Sequence, residues 1–354
     1  MQHKHDHSVP VCLLALWSDS LTYTMAKALS FSGHEVVVWV ADVAKDSQSS
    51  WSLSRRIAVD PAATVIADAG AQPPEHIERL IVQGHPLLLG YGDILAKLAA
   101  RADRMTVVSY GDRIRPYWQA IKLQWRERRW YGPWFAKVDR VVYKDGYYPI
   151  DLFGLLKPRR VVGFDAHSLF LNESDLYRSI HAADWDAEAT RPYRANFIGS
   201  WDPEARGRIL DSVEGFFRTD TGVKPGMFWH VFTDAQPAAL SQMAFLQVLT
   251  QSDFTLAPPG YSLVTHRPVE ALLRGSVPVL NANELDLYDL DLKDGTNCIA
   301  VPPGGWPASM ERINDMDQAQ VVAMRRNVLA MVAKRVAYPA LSRDICRRLG
   351  IGDR

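Results

Sequence analysis

Cysteine is scarce in this chain. Its 354 residues include three, Cys12, Cys298 and Cys346, far apart and in no C-x-x-C pair. That excludes a disulfide framework and a thiolate zinc cage, and it fits a reducing compartment. Net charge is lacking too: 40 Lys and Arg balance 40 Asp and Glu, so no global field draws the protein to nucleic acid or anionic lipid, and such attraction must come from a local patch. No apolar run approaches the roughly 20 residues needed to cross a bilayer. The polar start, Met1 to Pro10, has no apolar core of the signal-peptide kind, so a cytoplasmic protein is expected. His3, His5 and His7 stand in that start, where incidental histidines are commoner than metal sites, and no metal is expected there. No G-x-G-x-x-G follows the first apolar run, whose loop reads Ser18-Asp-Ser-Leu-Thr22; this disfavours a dinucleotide-dependent dehydrogenase.

What the chain does have is an ordinary globular balance, 47% hydrophobic and 23% charged, at a length suited to two domains. Val9 to Trp17 is a continuous apolar run, as in a strand buried on both faces of a parallel sheet. A helix over Leu21 to Ser32 follows, stopped by Gly33, and then a strand from Glu35 to Val40. The alternation continues with a strand at Thr64 to Ala67, a helix near Glu75 to Val82, a strand at Leu87 to Leu89, a helix over Ile94 to Ala102 and strands at Met105 to Ser109, Arg140 to Tyr143 and Arg160 to Phe164. A second series starts at Asn196 to Gly199 and runs through strands at Phe228 to Phe232, Phe254 to Ala257 and Val277 to Leu280, with helices between them. Such alternation predicts α/β architecture with doubly wound parallel sheets. The expected division is 1–155, 156–335 and a tail, 336–354, that packs back on the N-terminal domain.

The most informative stretch runs from Phe254 to Leu280: strand, Pro/Gly loop, helix, Gly stop, strand. Thr265 is the expected N-cap, with Pro268 in the first turn, where its missing N–H costs nothing. At 3.6 residues per turn Arg267, Glu270 and Arg274 share one face, and Val269, Leu272 and Leu273 the other. A loop containing Gly260, a helix start and an Arg together suit a pyrophosphate, and Glu270 suits ribose hydroxyls. A surface helix with an Arg–Glu pair fits the same spacing.

The pattern P-x-G, then R-x-x-E-A-L-x-x-G-x-x-P-V, resembles the donor-site segment of GT-B glycosyltransferases, exostosin-like and spore-protein-like members among them. Phe197 to Arg206 resembles the turn after the first strand of their C-terminal domain. The resemblance implies two Rossmann-like domains with a cleft between them, no cofactor, and a nucleotide-sugar donor, UDP or GDP favoured. It implies a donor site of Ser200, Arg206, Pro259, Gly260, Tyr261, Ser262, Thr265, His266, Arg267 and Glu270, with Arg267 at the phosphates and Glu270 at the ribose. One large retaining group has E-x7-E across this loop, but the position eight before Glu270 is Ser262.

An inverting transfer is therefore preferred, and it needs a general base for the attacking hydroxyl. Asp19 follows the first strand at the sheet's carboxyl end, where open α/β folds place ligands. Asp112 is the second candidate, and Asp165 with His167 the third; for each, a turn carboxylate is the plain alternative. Arg, Lys and helix starts can stabilise the departing nucleotide without metal. Asp289-Leu-Asp291 matches a D-x-D metal motif but lies in the acidic run Glu284 to Asp294, read as a solvated loop.

Residues 113–137 carry seven basic residues against one acidic, together with Trp118, Trp125, Trp130 and Trp134. A helix here places Trp118, Ile121 and Trp125 beside Lys122, Arg126 and Arg129, a layout suited to a membrane interface at the inner face and to a lipid-linked acceptor. Buried tryptophans with a solvated basic rim fit as well. No nucleic-acid motif accompanies the segment, and no such partner is expected. The expected function is sugar transfer from a nucleotide-sugar to a glycan or lipid-linked glycan. The alternatives are a GT-B-fold nucleotide-sugar epimerase and a non-catalytic sugar-nucleotide or membrane-associated binding protein.

Overall fold

The computed structural model describes residues 9–17, 20–48, 64–66, 71–84, 90–109, 117–143, 159–161, 186–201, 206–232, 240–260, 265–288, 290–336 and 338–352. The chain forms two compact units, Met1–Asn172 with Tyr338–Arg354, and Glu173–Ala337.

The first unit opens with β1 (Val11–Ala15), α1 (Ser20–Phe31), β2 (Val36–Val40), α2 (Val43–Gln48) and β3 (Thr64–Ile66). It continues with β4 (Ile77–Gly84), α3 (Gly92–Arg101), β5 (Ala102–Ser109), α4 (Tyr117–Tyr131), β6 (Val138–Tyr143) and β7 (Arg159–Val161). The strands form one parallel sheet in the order β3-β2-β1-β4-β5-β6-β7. Side chains alternate across a strand, and both faces of β1 are packed. Val11 and Leu13 join a cluster with α1, while Cys12 and Leu14 join one with α3 and Phe135. This two-sided burial is why β1 and β2 read as unbroken apolar runs. Gly33, at φ 83°, closes α1. Burial pushes the Cys12 thiol up to about 12, which leaves it protonated and unreactive.

The helix expected near Glu75 to Val82 is instead β4. Arg79 breaks its apolar run and so mimics a helical stripe. It is nevertheless buried, donating to Thr106 Oγ1 (2.9 Å) and pairing with both carboxylate oxygens of Asp139 (2.6 and 2.9 Å). The strand expected at Leu87 to Leu89 lies outside the described residues.

The second unit contains β8 (Tyr193–Ser200), α5 (Arg208–Phe217), the short hairpin β9 (Arg218–Thr219) and β10 (Gly222–Val223), then β11 (Met227–Phe232) and α6 (Gln242–Thr250). There follow β12 (Ser252–Leu256), α7 (Arg267–Leu273), β13 (Val277–Asn281), β14 (Ile299–Val301), α8 (Trp306–Asp315) and α9 (Gln318–Met331). Its sheet is parallel, ordered β11-β8-β12-β13-β14. Asn196, fully buried, ties β8 to β12 by donating to the Phe254 carbonyl and Thr255 Oγ1 (3.1 and 2.7 Å). At the sheet's amino end Arg325 of α9, itself buried, pairs with Asp253 at 3.2 Å. A capping box, Asp317 with Gln320, starts α9.

The last helix, α10 (Tyr338–Leu349), returns to the first unit. Leu341, Ile345 and Leu349 join the cluster beneath α1, and Thr106 Oγ1 donates to the Leu349 carbonyl at 2.7 Å.

Candidate functional site

In an open parallel sheet the crossovers leave to opposite faces where the strand order reverses, and this opens a crevice at the carboxyl ends of the two strands concerned. In the second unit β8 comes first in the chain, with β11 on one side and β12 on the other. The crevice therefore lies beyond Ser200 and Leu256. Two loops feed it: the one after β8, leading to Arg206, and Ala257-Pro-Pro-Gly260 after β12, leading to Arg267.

The two arginines converge there. Arg206 donates from Nε to the Pro259 carbonyl (3.2 Å) and from Nη1 to the Ser200 carbonyl (3.4 Å), so it bridges the two loops. Both guanidinium groups rest against Gly199: a Cβ at that position would stand 3.0 Å from Nη1 of Arg206 and 3.1 Å from each Nη of Arg267. A Cβ on Gly260 would meet Nη2 of Arg206 at 2.5 Å. Glycine at 199 and 260 is thus the condition for this close approach. Arg267 also lies over the Phe197 ring, 5.2 Å from its centroid.

This juxtaposition is electrostatically costly. Burial, and secondarily the neighbouring Arg206, lower Arg267 to about 10, with Glu270 and Tyr288 opposing. Arg267 Nε and His266 Nδ1 are buried with no hydrogen-bond partner among the described residues. Two cations side by side, with Nε of Arg267 unspent, form a site for an anion with several oxygens. Glu270, 6% exposed, follows one turn on; burial pushes its carboxyl up, while His266 and Arg267 pull the other way.

The structure thus brings together Ser200, Arg206, Pro259, Gly260, Thr265, His266, Arg267 and Glu270. Tyr261 and Ser262 lie outside the described residues, as do all the candidate bases, Asp19, Asp112, Asp165 and His167. Two local expectations are corrected. His266, not Thr265, occupies the position before α7, with no side-chain cap; the Thr265 N–H is instead taken by the Tyr288 hydroxyl at 2.9 Å, which also donates to the Thr265 carbonyl at 3.3 Å. And α7 is buried on every side from Pro268 to Leu273, so the surface-helix reading of the Arg–Glu spacing does not hold.

Sequence reasoning missed Glu284, which stands inside the acidic run read as solvated. It is 1% exposed, in a 3-10 turn over Ala282–Leu287. Its Oε1 accepts from Asn281 Nδ2 (2.7 Å), and Asn281 Oδ1 accepts from Trp306 Nε1 (3.0 Å). Burial raises the Glu284 carboxyl to about 7 against its hydrogen bonding with Asn281. The available signal was spacing: Asn281 and Glu284 fall immediately after a buried strand, where a polar pair needs partners. Among the described residues no group of three His, Cys, Asp or Glu is placed to hold a metal ion. Asp291 of the D-x-D motif pairs with Arg335 at 3.2 Å.

Residues 176–288, which include both loops, match the family model of the RXYLT1 C-terminal domain. No curated protein matches the sequence. Among solved structures the chain is similar to HepE of Anabaena, in complex with UDP-glucose, with a TM-score of 0.59 and 11% identity over 96% of this chain and 99% of that one. It is also similar to the sucrose-phosphate synthase of Thermosynechococcus elongatus, with a TM-score of 0.56 and 12% identity over 96% and 98% of the two chains. These likenesses bear out the fold expected from the donor-segment resemblance: two Rossmann-like parallel-sheet domains of the GT-B type.

Proposed function

We propose that this protein is a glycosyltransferase that moves a sugar from a nucleoside-diphosphate sugar to a hydroxyl of a glycan or lipid-linked glycan at the cytoplasmic face of a membrane. The observation that carries this is the pair Arg206 and Arg267 packed on Gly199 at the switch point of the second sheet. The pair suits a diphosphate. Bound there, the donor replaces the missing hydrogen-bond partners of Arg267, and the two cations stabilise the charge that develops as the glycosidic bond breaks. Glu270 is read as the acceptor of ribose hydroxyl hydrogen bonds. HepE, similar in fold, is described with UDP-glucose, which favours UDP among the nucleotides.

The reaction is read as metal-independent and inverting. An Asp among Asp19, Asp112 and Asp165, the last with His167, takes the acceptor proton as the hydroxyl oxygen bonds to the anomeric carbon. The nucleoside diphosphate leaves with the electron pair of the broken bond. The test is a thermal-shift panel of UDP, GDP, CMP, ADP and dTDP, with and without divalent cation, because a ligand that binds only the native state raises Tm. A selective, metal-independent shift that Arg267→Ala removes is the expected result. No shift with any nucleotide in a folded sample refutes the donor site. Product analysis then separates transfer from epimerisation.

A further inference from the structure

The basic aromatic segment divides in the structure into a core part and a surface part. Trp130 and Trp134 pack on the apolar cluster beneath the first sheet, beside the buried Tyr131 and Phe135. Arg128 lies over the Phe135 ring at 4.0 Å. These residues belong to the fold. Trp118 and Trp125 of α4 are 76% and 66% exposed, more than any other large hydrophobic side chain among the described residues. Lys122, Arg126 and Arg129 are exposed beside them. A helix advances about 100° per residue, so Trp118, Lys122, Trp125 and Arg129 form one outward stripe with Arg126 at its margin, and Tyr131 lies on the opposite, buried side.

Two large indoles in water, interleaved with three cations, are unfavourable unless something takes both. A second copy of the chain would bring like charges together. A protein partner would bury a lysine, which interface cores avoid. An anionic bilayer surface satisfies both halves at once: indoles settle at headgroup depth and cations meet lipid phosphates. The helix has 15 residues, and no helix among the described residues is long and apolar enough to cross a membrane, so its geometry is that of an element lying in the interface plane.

We propose that the Trp118–Lys122–Trp125–Arg126–Arg129 face of α4 docks the protein on anionic membrane surfaces. This inference stands on the first unit alone and is independent of the donor site. The test is flotation of the full chain with vesicles of phosphatidylcholine alone and of phosphatidylcholine mixed with phosphatidylglycerol. The protein should float with the mixed vesicles only, and less so as salt rises. Each surface cation contributes about fivefold to partitioning, so K122Q/R126Q/R129Q should lower it about a hundredfold. W118A/W125A should abolish flotation. Both variants change exposed side chains, and they should keep the wild-type Tm and any nucleotide-induced shift, which separates failure of docking from failure of the donor reading. Wild-type protein that stays with the unbound fraction overturns the proposal. So does flotation that both variants retain. Binding to single-stranded oligonucleotide, or self-association, without flotation overturns it in favour of those partners.

Discussion

The two sheets of this protein reverse their strand order in the same way, yet the two reversal points are chemically unlike. In the first unit the reversal lies between β1 and β4. Near their carboxyl ends Thr22 Oγ1 donates to Gln83 Oε1 at 2.5 Å, and both residues are buried. In the second unit the equivalent place holds Arg206 and Arg267, and Nε of Arg267 is buried with no hydrogen-bond partner among the described residues. The first pair of side chains satisfies itself; in the second, Nε of Arg267 keeps a donor for something else. Topology supplies a crevice in both units, and side chains alone decide which is fitted to an anion.

The sharpest way to break this comparison is to remove the charge from the second crevice. Arg267→Met replaces a desolvated cation by an apolar group of similar length, and such replacements are often neutral or stabilising. The ligand-free variant should match or exceed the wild-type Tm, while nucleotide affinity falls by at least about tenfold, the loss expected for charge-assisted hydrogen bonds. A variant that loses stability and keeps its affinity makes Arg267 structural. Arg206→Ala should lower affinity less, because Arg206 spends donors on Pro259 and Ser200. Titration calorimetry of both singles and the double should show non-additive losses, since the two side chains share one ligand and one glycine.

Smaller effects sharpen the contrast. Gly199→Ala should weaken nucleotide binding several-fold by pushing the two guanidinium groups apart, with little change in fold, because the clashing atoms are ends of flexible side chains. Its counterpart in the first unit, Thr22→Val, should do the opposite. It removes the buried hydrogen bond to Gln83, at a cost of about 0.5–1.5 kcal/mol in stability, and leaves nucleotide affinity unchanged. Denaturant melts and calorimetry on the two variants give the full comparison; equal affinity losses in both would erase the distinction between the crevices.

Much of this was legible in the sequence, for reasons that also explain what was not. Strands such as Val36–Val40 are buried on both faces and announce themselves as apolar runs. The donor segment was legible because a Pro/Gly loop, an Arg and a Glu stand at fixed spacing between two such strands. β4 was misread because a single buried arginine, satisfied by Asp139 on β6 and Thr106 on β5, imitates amphipathic periodicity; its partners lie 60 and 27 residues away. The grouping of Arg206 with Arg267 came only from the family resemblance and not from their spacing, since it is the pairing of β8 with β12 that brings their loops together. α4 shows the reverse case. Its three tryptophans look alike in sequence, and only packing separates Trp130 from the exposed Trp118 and Trp125.

Glu284 gives the most specific effect. An acidic run normally means a solvated face, but here one carboxyl is folded under the loop that follows β13, and burial holds it near 7, above the model-peptide range of about 4.3. The sign follows directly. A folded-state pKa raised above the unfolded value means that the native protein holds the proton more tightly. The stabilisation is therefore complete below about pH 4.5 and is lost as pH climbs through about 7. Wild-type Tm should decline between about pH 4.5 and 7 relative to Glu284→Gln, which keeps the shape of the neutral acid and cannot ionise; the difference in stability is at most about 3 kcal/mol. Parallel Tm curves for the two proteins across that interval would mean that the carboxyl is already ionised in the fold.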